Sequence, residues 1–354
     1  MREKVKETLK ELIAIPSVSG REKGVLEYIE RRLLAVGIPL KKQEIEEGRY
    51  NLLYDSGSEF LISVHVDTVP PDGFKNAYKP LEKEGRIYGR GASDVKGAIA
   101  SLITAVEEYK RENPDRELPV SLAFVVDEER NTALGSENLP KILNGVKYIL
   151  VLEPTYGLLC TKQFGALEFS LRIRCKSAHG SEYEKVENPT KVFIKLLNKL
   201  EEVLKREVNV IMIRSGTKIY KVPQNCEALL EFKVFEGEDL EELKEKVDRV
   251  LKTIKTECFV EWKVEDEESF HSFNTDGFLP ILEEVLIEVE GQAKKGIMPS
   301  WTDASNYHKA GYSCIVFGYG SLIDSHTDRE SISVEELEKF TRFFLKLFEK
   351  LEKA

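Results

Sequence analysis

His65 and Asp67 lie one residue apart at the end of an apolar run, in the segment SVHVDTVPP. The run Phe60–Val66 is short, apolar and rich in β-branched residues, and Pro70 follows it, which predicts an interior strand ending near His65. Open α/β sheets bind their ligands at this end of a strand. Asp67 would face the same side as His65, where its carboxylate could fix the tautomer of a metal-binding imidazole. By itself, a histidine near a strand end is more often a structural residue than a ligand.

Asp94 lies in the glycine-rich segment IYGRGASDVKGAIAS, directly ahead of a predicted helix. A carboxylate in this position could bridge two cations. Asp is also a favoured helix-capping residue, and the segment taken alone fits a cap better than a bridge. Both interpretations stay open at this point.

Further carboxylates and a second histidine follow other predicted strands. VVDEER ends an apolar run with Asp127, Glu128 and Glu129, and VLEPT places Glu153 after the next run. Adjacent carboxylates repel one another unless a cation or a proton separates them, so an acidic triplet ending an interior strand is hard to explain by solvation alone. His326, in DSHTDRESI, follows the strand-like run CIVFG.

Together these segments supply two imidazoles and three carboxylates at one edge of one sheet: His65, Asp94, Glu129, Glu153 and His326. This set can bind two divalent metal ions, with an aspartate bridge and open positions for water, as two-metal hydrolases require. Zn²⁺ suits the set, and Co²⁺ is an alternative. Glu128 stays off the metals in this arrangement, so it could accept the proton of the water as general base.

The elements that position these residues change in pattern along the chain. In the first part, apolar runs such as VSLAFVVDEE and YILVLEP alternate with amphipathic helices, which predicts an α/β fold. From about residue 164 apolar and polar residues alternate, as in a sheet with one wet face, and the elements follow the order β-α-β-β-α-β. We therefore expect a discontinuous catalytic domain over 1–163 and 266–354, with an inserted domain over 164–265.

Composition argues against several classes of protein. The chain of 354 residues carries a net charge of -10, which disfavours a nucleic-acid partner. The N-terminal segment is charged and amphipathic, and nothing resembles a membrane span, so we expect a cytoplasmic protein with no membrane partner. The five cysteines are scattered singly with no CxxC pair, which predicts small core residues in a reducing compartment.

The segments HVDTVPP, GRGASDVKG, DEE, LEPT and SHTDRE, in this order, resemble a known set of motifs. They are similar to those of the di-zinc metallopeptidase and deacylase family that includes acetylornithine deacetylase, succinyl-diaminopimelate desuccinylase and carboxypeptidase G. The resemblance covers essentially the whole chain. It implies a zinc-exopeptidase-like catalytic domain, with a mixed central sheet flanked by helices, and an inserted lid or dimerisation domain that usually makes a homodimer.

The resemblance also implies a role for each residue of the predicted centre. Glu128 matches the family's general base, and Asp67 matches the carboxylate that orients the metal-binding histidine. The matching metal ligands form two pairs around a bridge: His65 and Glu153 for the first ion, Glu129 and His326 for the second, and Asp94 between them.

His179, in KSAHGSEYEKVENPT, matches a lid histidine that helps to stabilise the tetrahedral oxyanion, often across the dimer interface. Without the resemblance, a histidine beside Gly180 and Ser181 would more often be an ordinary turn residue. His271 and His308 match no motif, and we expect both to be structural or peripheral to the pocket.

The chain departs from the family pattern mainly where substrate is expected to bind. Ser215 and Tyr220, in SGTKIYKVP, stand where many members have a glycine and an asparagine, and Lys233 stands where an arginine is expected. Lysine offers a point charge instead of a bidentate fork for a substrate carboxylate, and Arg214 could compensate.

One further loop matches a part of the family that usually lines the pocket. This segment, PSWTDASNYH, makes Thr302, Asp303 and Asn306 candidate substrate-binding residues.

The implied reaction is hydrolysis of the amide bond of an N-acylated amino acid by a metal-activated water. Acetylornithine, succinyl-diaminopimelate and carrier-bound lysine, from arginine or lysine biosynthesis, are the leading substrate types. A dipeptidase or carboxypeptidase of the same family is the alternative, because the metal ligands do not separate the two. A non-catalytic binding protein would be expected to lack Glu128 or a ligand, and the sequence retains them all.

Overall fold

The computed structural model describes residues 1–130 and 132–353, which divide into two compact units. Unit 1 comprises Met1–Lys162, Ser272–Met298 and Thr302–Ala354, and unit 2 comprises Gln163–His271 and Pro299–Trp301. Unit 2 thus starts at residue 163 and its main segment ends at residue 271, close to the 164–265 range expected for the insertion.

Helices occur in both units. Ser333 Oγ accepts a hydrogen bond from the amide of Glu336, whose carboxylate accepts one from the amide of Ser333, and this capping box starts the last helix. The described residues form nine α-helices, which are α1 (Arg2–Ala14), α2 (Lys23–Leu34), α3 (Lys96–Glu112), α4 (Leu134–Asn138), α5 (Pro189–Leu204), α6 (Leu240–Thr253), α7 (Leu279–Glu290), α8 (Ala304–Lys309) and α9 (Val334–Leu351). None of these helices is both long enough and apolar enough to cross a membrane.

The strands of the described chain are numbered in the same way. They are β1 (Lys41–Glu46), β2 (Arg49–Tyr54), β3 (Phe60–His65), β4 (Leu81–Lys83), β5 (Arg86–Tyr88), β6 (Ser121–Val125), β7 (Tyr148–Leu152), β8 (Leu159–Gln163), β9 (Gly165–Arg174), β10 (Asn209–Ser215), β11 (Asn225–Val234), β12 (Phe259–Glu268), β13 (His271–Ser272), β14 (Lys295–Met298), β15 (Ser313–Phe317) and β16 (Ser331–Ser333).

The main sheet of unit 1 is mixed, in the order β1-β2-β6-β3-β7-β15-β8, and β14 also pairs with β8. Strands β6, β3, β7 and β15 run parallel, whereas β2 and β8 are antiparallel to their neighbours. Alternate residues of β3 enter different apolar clusters, with Ile62 and Val64 in one and Leu61 in the other. Both faces of the sheet are therefore covered, which explains why its central strands are continuous apolar runs.

Helices α1, α3, α7 and α9 pack against one another in unit 1. The last of them buries Phe340, Phe343, Phe344 and Phe348 in the same apolar cluster as Ile62 and Val64. The central strands are thereby held on a rigid support, and their carboxyl ends are fixed relative to one another.

Unit 2 contains an antiparallel sheet in the order β10-β11-β9-β12. Along the chain the elements follow one another as β9, α5, β10, β11, α6 and β12. Leu167, Phe169, Leu171 and Ile173 of β9 are buried with residues of α5 and α6, while the alternate residues of β9 face away from this cluster. One face of the sheet therefore carries the core of the unit.

Two of the five cysteines, which were expected as small core residues in a reducing compartment, are joined to each other. Cys175 and Cys258 form a disulfide, whereas Cys160, Cys226 and Cys314 are free and buried. Arg174 lies opposite Phe259 in the β9–β12 ladder, so the cysteines one position beyond this pair face each other, with a Cα–Cα distance of 4.4 Å. The pairing depends on strand register across 83 positions, which no local cysteine spacing reveals.

Candidate metal centre

Three neighbouring parallel strands of unit 1 deliver the residues predicted from the strand ends. His65 is the last residue of β3, Glu128 and Glu129 follow β6, and Glu153 follows β7 directly. Because β6 and β7 flank β3 in parallel, these carboxyl ends meet at one edge of the sheet. The local apolar runs thus bring three separate segments to one place.

Asp94 lies between the two histidines of this edge. The helix cap of α3 is Val95, and the side chain of Asp94 does not cap the helix, so the capping interpretation is wrong. One carboxylate oxygen of Asp94 lies 3.1 Å from His65 Nε2 and the other lies 3.4 Å from His326 Nε2. A single carboxylate therefore contacts both imidazoles.

His326 comes from the loop between β15 and β16 and has a left-handed backbone, with φ of 65°. Its Nε2 lies 3.0 Å from Glu129 Oε2. The side chain of His326 is 51% exposed, whereas those of His65, Asp94, Glu129 and Glu153 are buried. The cluster consequently opens to solvent on the side of His326.

The donor atoms of these residues are close enough to share cations. Those of His65, Asp94 and Glu129 all lie within 4.8 Å of one another, and so do those of His65, Glu128 and Glu153. His65 Nε2 is also 3.7 Å from Glu153 Oε1. His65 thus belongs to both groups, and His326 adjoins the group of Asp94 and Glu129.

The charges of the cluster perturb one another strongly. Burial raises the pKa of Glu153 to about 8, and burial together with the charge of Asp94 raises the pKa of Glu129 to about 6. Burial and the charge of Glu153 also raise the pKa of Glu128 well above its usual range. Hydrogen bonds to Asp94 and Glu129 raise the pKa of His326 to about 10. Such an accumulation of buried carboxylates is typical of a functional site.

Two carboxylate oxygens of the cluster show what would stabilise it. Glu129 Oε1 and Glu153 Oε1 are buried and lack a hydrogen-bond partner among the described residues. Buried acceptors of this kind are costly unless another group satisfies them. Imidazole nitrogens and carboxylate oxygens are ligands that Zn²⁺ and related cations accept. The residues present therefore fit divalent metal ions.

Comparison with known proteins identifies the family of the chain. Residues 61–350 match peptidase family M20/M25/M40. The chain belongs to this family. It is 24% identical to succinyl-diaminopimelate desuccinylase of Pelagibacter ubique over 370 aligned positions, which cover 95% of both chains. A region of 190 residues is 35% identical to a probable carboxypeptidase of Emericella nidulans and covers 48% of this chain and 44% of that protein.

A solved structure also shares the fold across the whole chain. A tripeptidase from Staphylococcus aureus superposes with a TM-score of 0.82, covering 100% of this chain and 99% of its own, at 18% identity. The expected mixed α/β fold and the assignment to a family of metal-dependent peptidases and deacylases are thus confirmed. The chain is a metallohydrolase of the M20/M25/M40 family.

Asp67 contacts His65 differently from the sequence-based expectation. His65 Nδ1 is 3.1 Å from the backbone carbonyl oxygen of Asp67, whereas the carboxylate of Asp67 is 3.7 Å away. The carboxylate instead accepts hydrogen bonds from Ser19 Oγ and from the amides of Glu128 and Glu129. The nearest acceptor for the imidazole is thus the main chain of Asp67, because β3 ends at His65, and the orienting role of the carboxylate stays a prediction.

A buried ion pair that sequence reasoning missed supports the same turn. Arg49 donates hydrogen bonds to Glu22 at 2.6 Å and to Asp127 at 2.7 Å. Asp127 is fully buried and has a left-handed backbone with φ of 73°, and it directly precedes Glu128. Asp127 belongs to the motif DEE, which the sequence analysis identified. Its partner Arg49 is 78 positions away, and no local sequence pattern predicts this pairing.

The candidate substrate residues of unit 1 lie at the start of α8. Thr302 and Asp303 are buried, and burial raises the pKa of Asp303 to about 7. Asn306 Nδ2 donates a hydrogen bond to Ser136 Oγ at 2.9 Å. The burial of Thr302 and Asp303 favours a role in shaping this loop over direct contact with substrate.

The remaining candidates belong to unit 2. The imidazole of His179 is exposed, its Nδ1 lies 2.9 Å from Ser181 Oγ, and its ring packs edge-on against Tyr220. Arg214 is exposed on β10, and Lys233 Nζ lies 5.3 Å from the centre of the Phe164 ring.

The two histidines without a motif differ in their surroundings. His271 is buried, with Nε2 2.7 Å from Glu268 Oε1 in unit 2. His308 packs against Phe273 in unit 1, with 5.5 Å between ring centres. These contacts support the structural interpretation of both.

Proposed function

We propose that this member of the M20/M25/M40 family hydrolyses the amide bond of an N-acylated amino acid with two divalent metal ions, Zn²⁺ or Co²⁺. The observation that carries the proposal is the position of Asp94, whose two oxygens face His65 and His326. In this proposal His65 and Glu153 hold one ion, Glu129 and His326 hold the other, and Asp94 bridges them. Bound metal would lower the pKa of a water molecule and polarise the substrate carbonyl.

Glu128 is the proposed general base. Its carboxylate would accept a proton from the attacking water and then deliver it to the departing amine nitrogen. Burial and the charge of Glu153 raise the pKa of Glu128, and a carboxylate with a raised pKa is a stronger proton acceptor than an ordinary one. Glu128 also lies within reach of His65 and Glu153 as a further ligand, so metal content must be measured separately from turnover.

We propose that His179 donates a hydrogen bond to the oxyanion that forms at the substrate carbonyl. Its exposed ring leaves one nitrogen available, because Nδ1 is engaged with Ser181. Arg214 and Lys233 would bind the substrate carboxylate, and the loop of Thr302, Asp303 and Asn306 would shape the pocket.

Amino-acid biosynthesis is the proposed context, and the relatives named desuccinylase and carboxypeptidase support opposite choices of substrate. A hydrolysis panel tests them, using acetylornithine, acetylcitrulline, acetyl-lysine, succinyl-diaminopimelate and short dipeptides with added Zn²⁺ or Co²⁺. Preference for the acylated amino acids supports the deacylase. Preference for dipeptides would replace it with the peptidase alternative.

We also propose a homodimer formed through unit 2. Strand β10 is an edge strand of its sheet, and Ile211 and Ile213 on this strand are each 45% exposed. Ile194 on α5 is 50% exposed. An open strand edge beside exposed apolar side chains is a ready site for pairing with a second copy. Light scattering should give a dimer that Ile211→Glu disrupts, while Ile287→Glu on α7 serves as a matched control.

The dimer also decides where His179 acts. Inactive His179→Ala and Glu128→Gln chains would be mixed and assayed. Recovery of activity indicates that His179 acts across the dimer, whereas no recovery indicates action within one chain or no role.

A cytoplasmic location is part of the proposal. The disulfide between Cys175 and Cys258 is unusual there, because disulfides are rare in the cytosol outside hyperthermophiles. Thiol trapping in cells before lysis would establish whether this pair is oxidised where the protein works.

A further inference from the structure

Arg90 and Glu330 form a fully buried ion pair in unit 1. Arg90 Nη1 lies 2.6 Å from Glu330 Oε2, and the two side chains are 1% and 0% exposed. Removing two charges from water is costly, so a buried pair contributes little to stability by its attraction alone. Neither residue has a role in the proposed reaction, and the contacts of the pair indicate what it does.

Glu330 holds the backbone at the bridging aspartate. Its Oε1 accepts hydrogen bonds from the amides of Ser93 and Asp94, both at 3.2 Å. Its other oxygen is the one that contacts Arg90. The main chain of Asp94 is therefore fixed to a side chain that comes from just beyond His326.

Arg90 holds the opposite loop. Its guanidinium donates to the backbone carbonyls of His326 at 3.3 Å and Thr327 at 3.5 Å. It also donates to the carbonyl of Pro70 at 3.4 Å. Arg90 comes from the loop of Asp94, so each member of the pair reaches across to the other loop.

We propose that Arg90 and Glu330 are positioning residues that set the distance between Asp94 and His326. These two side chains come from loops 232 positions apart in the sequence, and the crossed contacts of the ion pair fasten one loop to the other. Their separation defines the subsite of His326 and Glu129, whereas His65 and Glu153 are fixed by strands. Loss of the pair would therefore weaken the ion at His326 selectively. This inference rests on the proposed function in requiring two metal ions.

The fork of arginine is needed for this arrangement. Its planar guanidinium contacts a carboxylate and several carbonyl groups at once, whereas a lysine ammonium is a compact point charge. Arg90→Lys therefore keeps the charge opposite Glu330 but loses contacts with the His326 loop. Glu330→Gln keeps an acceptor for the Asp94 amide and loses the charge opposite Arg90.

A second ion pair of unit 1 supplies matched controls. Arg32 donates two hydrogen bonds to Glu107, at 2.8 and 3.0 Å, and Glu107 is largely buried. Glu107 lies about three turns beyond the start of α3, which follows Asp94. Arg32→Lys and Glu107→Gln make the same chemical changes away from the candidate centre.

The test uses Co²⁺ as probe on the full-length protein. Equilibrium dialysis gives the number and affinity of the bound ions, and electron paramagnetic resonance detects spin coupling between neighbouring ions. The wild type is expected to bind two coupled ions. In Arg90→Lys and Glu330→Gln the ion at His326 should bind about ten- to a hundredfold less tightly, and the spin coupling should be lost. Both control variants should behave as the wild type does.

Each outcome bears on a different claim. Two ions bound with wild-type affinity and coupling in both variants would overturn the positioning role and leave the proposed function intact. A wild type that binds no Co²⁺ would overturn the proposed function itself. If melting temperatures fall equally in variants and controls and metal affinities fall with them, the pair is merely structural. Should Arg90→Lys fail to fold, the near-isosteric Glu330→Gln carries the same measurement.

Discussion

The backbone amide of Glu128 donates a hydrogen bond to the carboxylate of Asp67 at 3.1 Å. The next amide, of Glu129, donates to the same carboxylate at 3.1 Å, and Ser19 Oγ donates at 2.7 Å. Burial opposes ionisation of Asp67, but the imidazole of His65, together with these donors, outweighs it and keeps the pKa of Asp67 below its usual range. One ionised carboxylate thus holds the turn that carries the proposed base and a proposed ligand.

Replacing Asp67 by Asn should disturb this turn. The Asn side chain would place its own N–H group against a backbone N–H group, and two donors cannot bond to each other. The main chain of Glu128 and Glu129 should therefore shift. We expect metal affinity to fall about ten- to a hundredfold, because residues that orient ligands have effects of this size. Competition with a chelator measures the metal affinity. Ser19→Ala, which removes one donor of three, is the control, and an equal loss in both variants would contradict the role assigned to the carboxylate.

Glu128→Gln should separate metal binding from catalysis. The amide cannot accept a proton from water, so turnover should fall by about 10²- to 10⁴-fold, the usual contribution of a general base. Metal content, measured by elemental mass spectrometry, should stay near the wild-type value. Glu129→Gln is the comparison and should lose metal. If Glu128→Gln loses metal as well, Glu128 is a ligand and the base lies elsewhere.

Metal binding should release protons from this centre. Hydrogen bonds to Asp94 and Glu129 raise the pKa of His326 to about 10, and burial raises that of Glu153 to about 8. Before metal binds at pH 7, both groups therefore hold a proton that ligation must displace. Affinity should rise with pH up to about 10, where His326 loses its proton unaided.

Calorimetry in buffers of different ionisation enthalpy measures this release. His326→Ala should lower the number of protons released by about one. Heats that do not depend on the buffer would show that the ligands are already deprotonated.

The sequence predicted the parts of the centre that depend on local pattern. Apolar runs located β3, β6 and β7, and the carboxyl ends of adjacent parallel strands must meet at one edge. His65, Glu129 and Glu153 therefore came together as expected. The position of Asp94 could not be derived from its segment, since a cap and a bridge use the same residue type in the same place.

Contacts that depend on tertiary register were beyond local pattern. Arg90 and Glu330 are 240 positions apart, and Arg49 and Asp127 are 78 apart. Charged residues are common, so a pattern cannot tell which arginine will be buried beside which carboxylate. The contact of His65 with a backbone carbonyl was hidden for another reason, because sequence patterns reveal side chains and not main-chain direction.

The disulfide of unit 2 should contribute to its stability. Cys175 and Cys258 enclose a long segment, and such a crosslink typically contributes about 2–4 kcal/mol by restricting the unfolded chain. The chain has two tryptophans, Trp262 and Trp301, and both belong to unit 2, so their fluorescence follows unfolding of this unit in urea. Cys175→Ser with Cys258→Ser should lower its free energy of unfolding by about this amount. A reductant should destabilise the wild type and leave the double variant unchanged.

Denatured, unreduced protein should titrate three thiols, since Cys160, Cys226 and Cys314 are free, and five thiols would refute the bond.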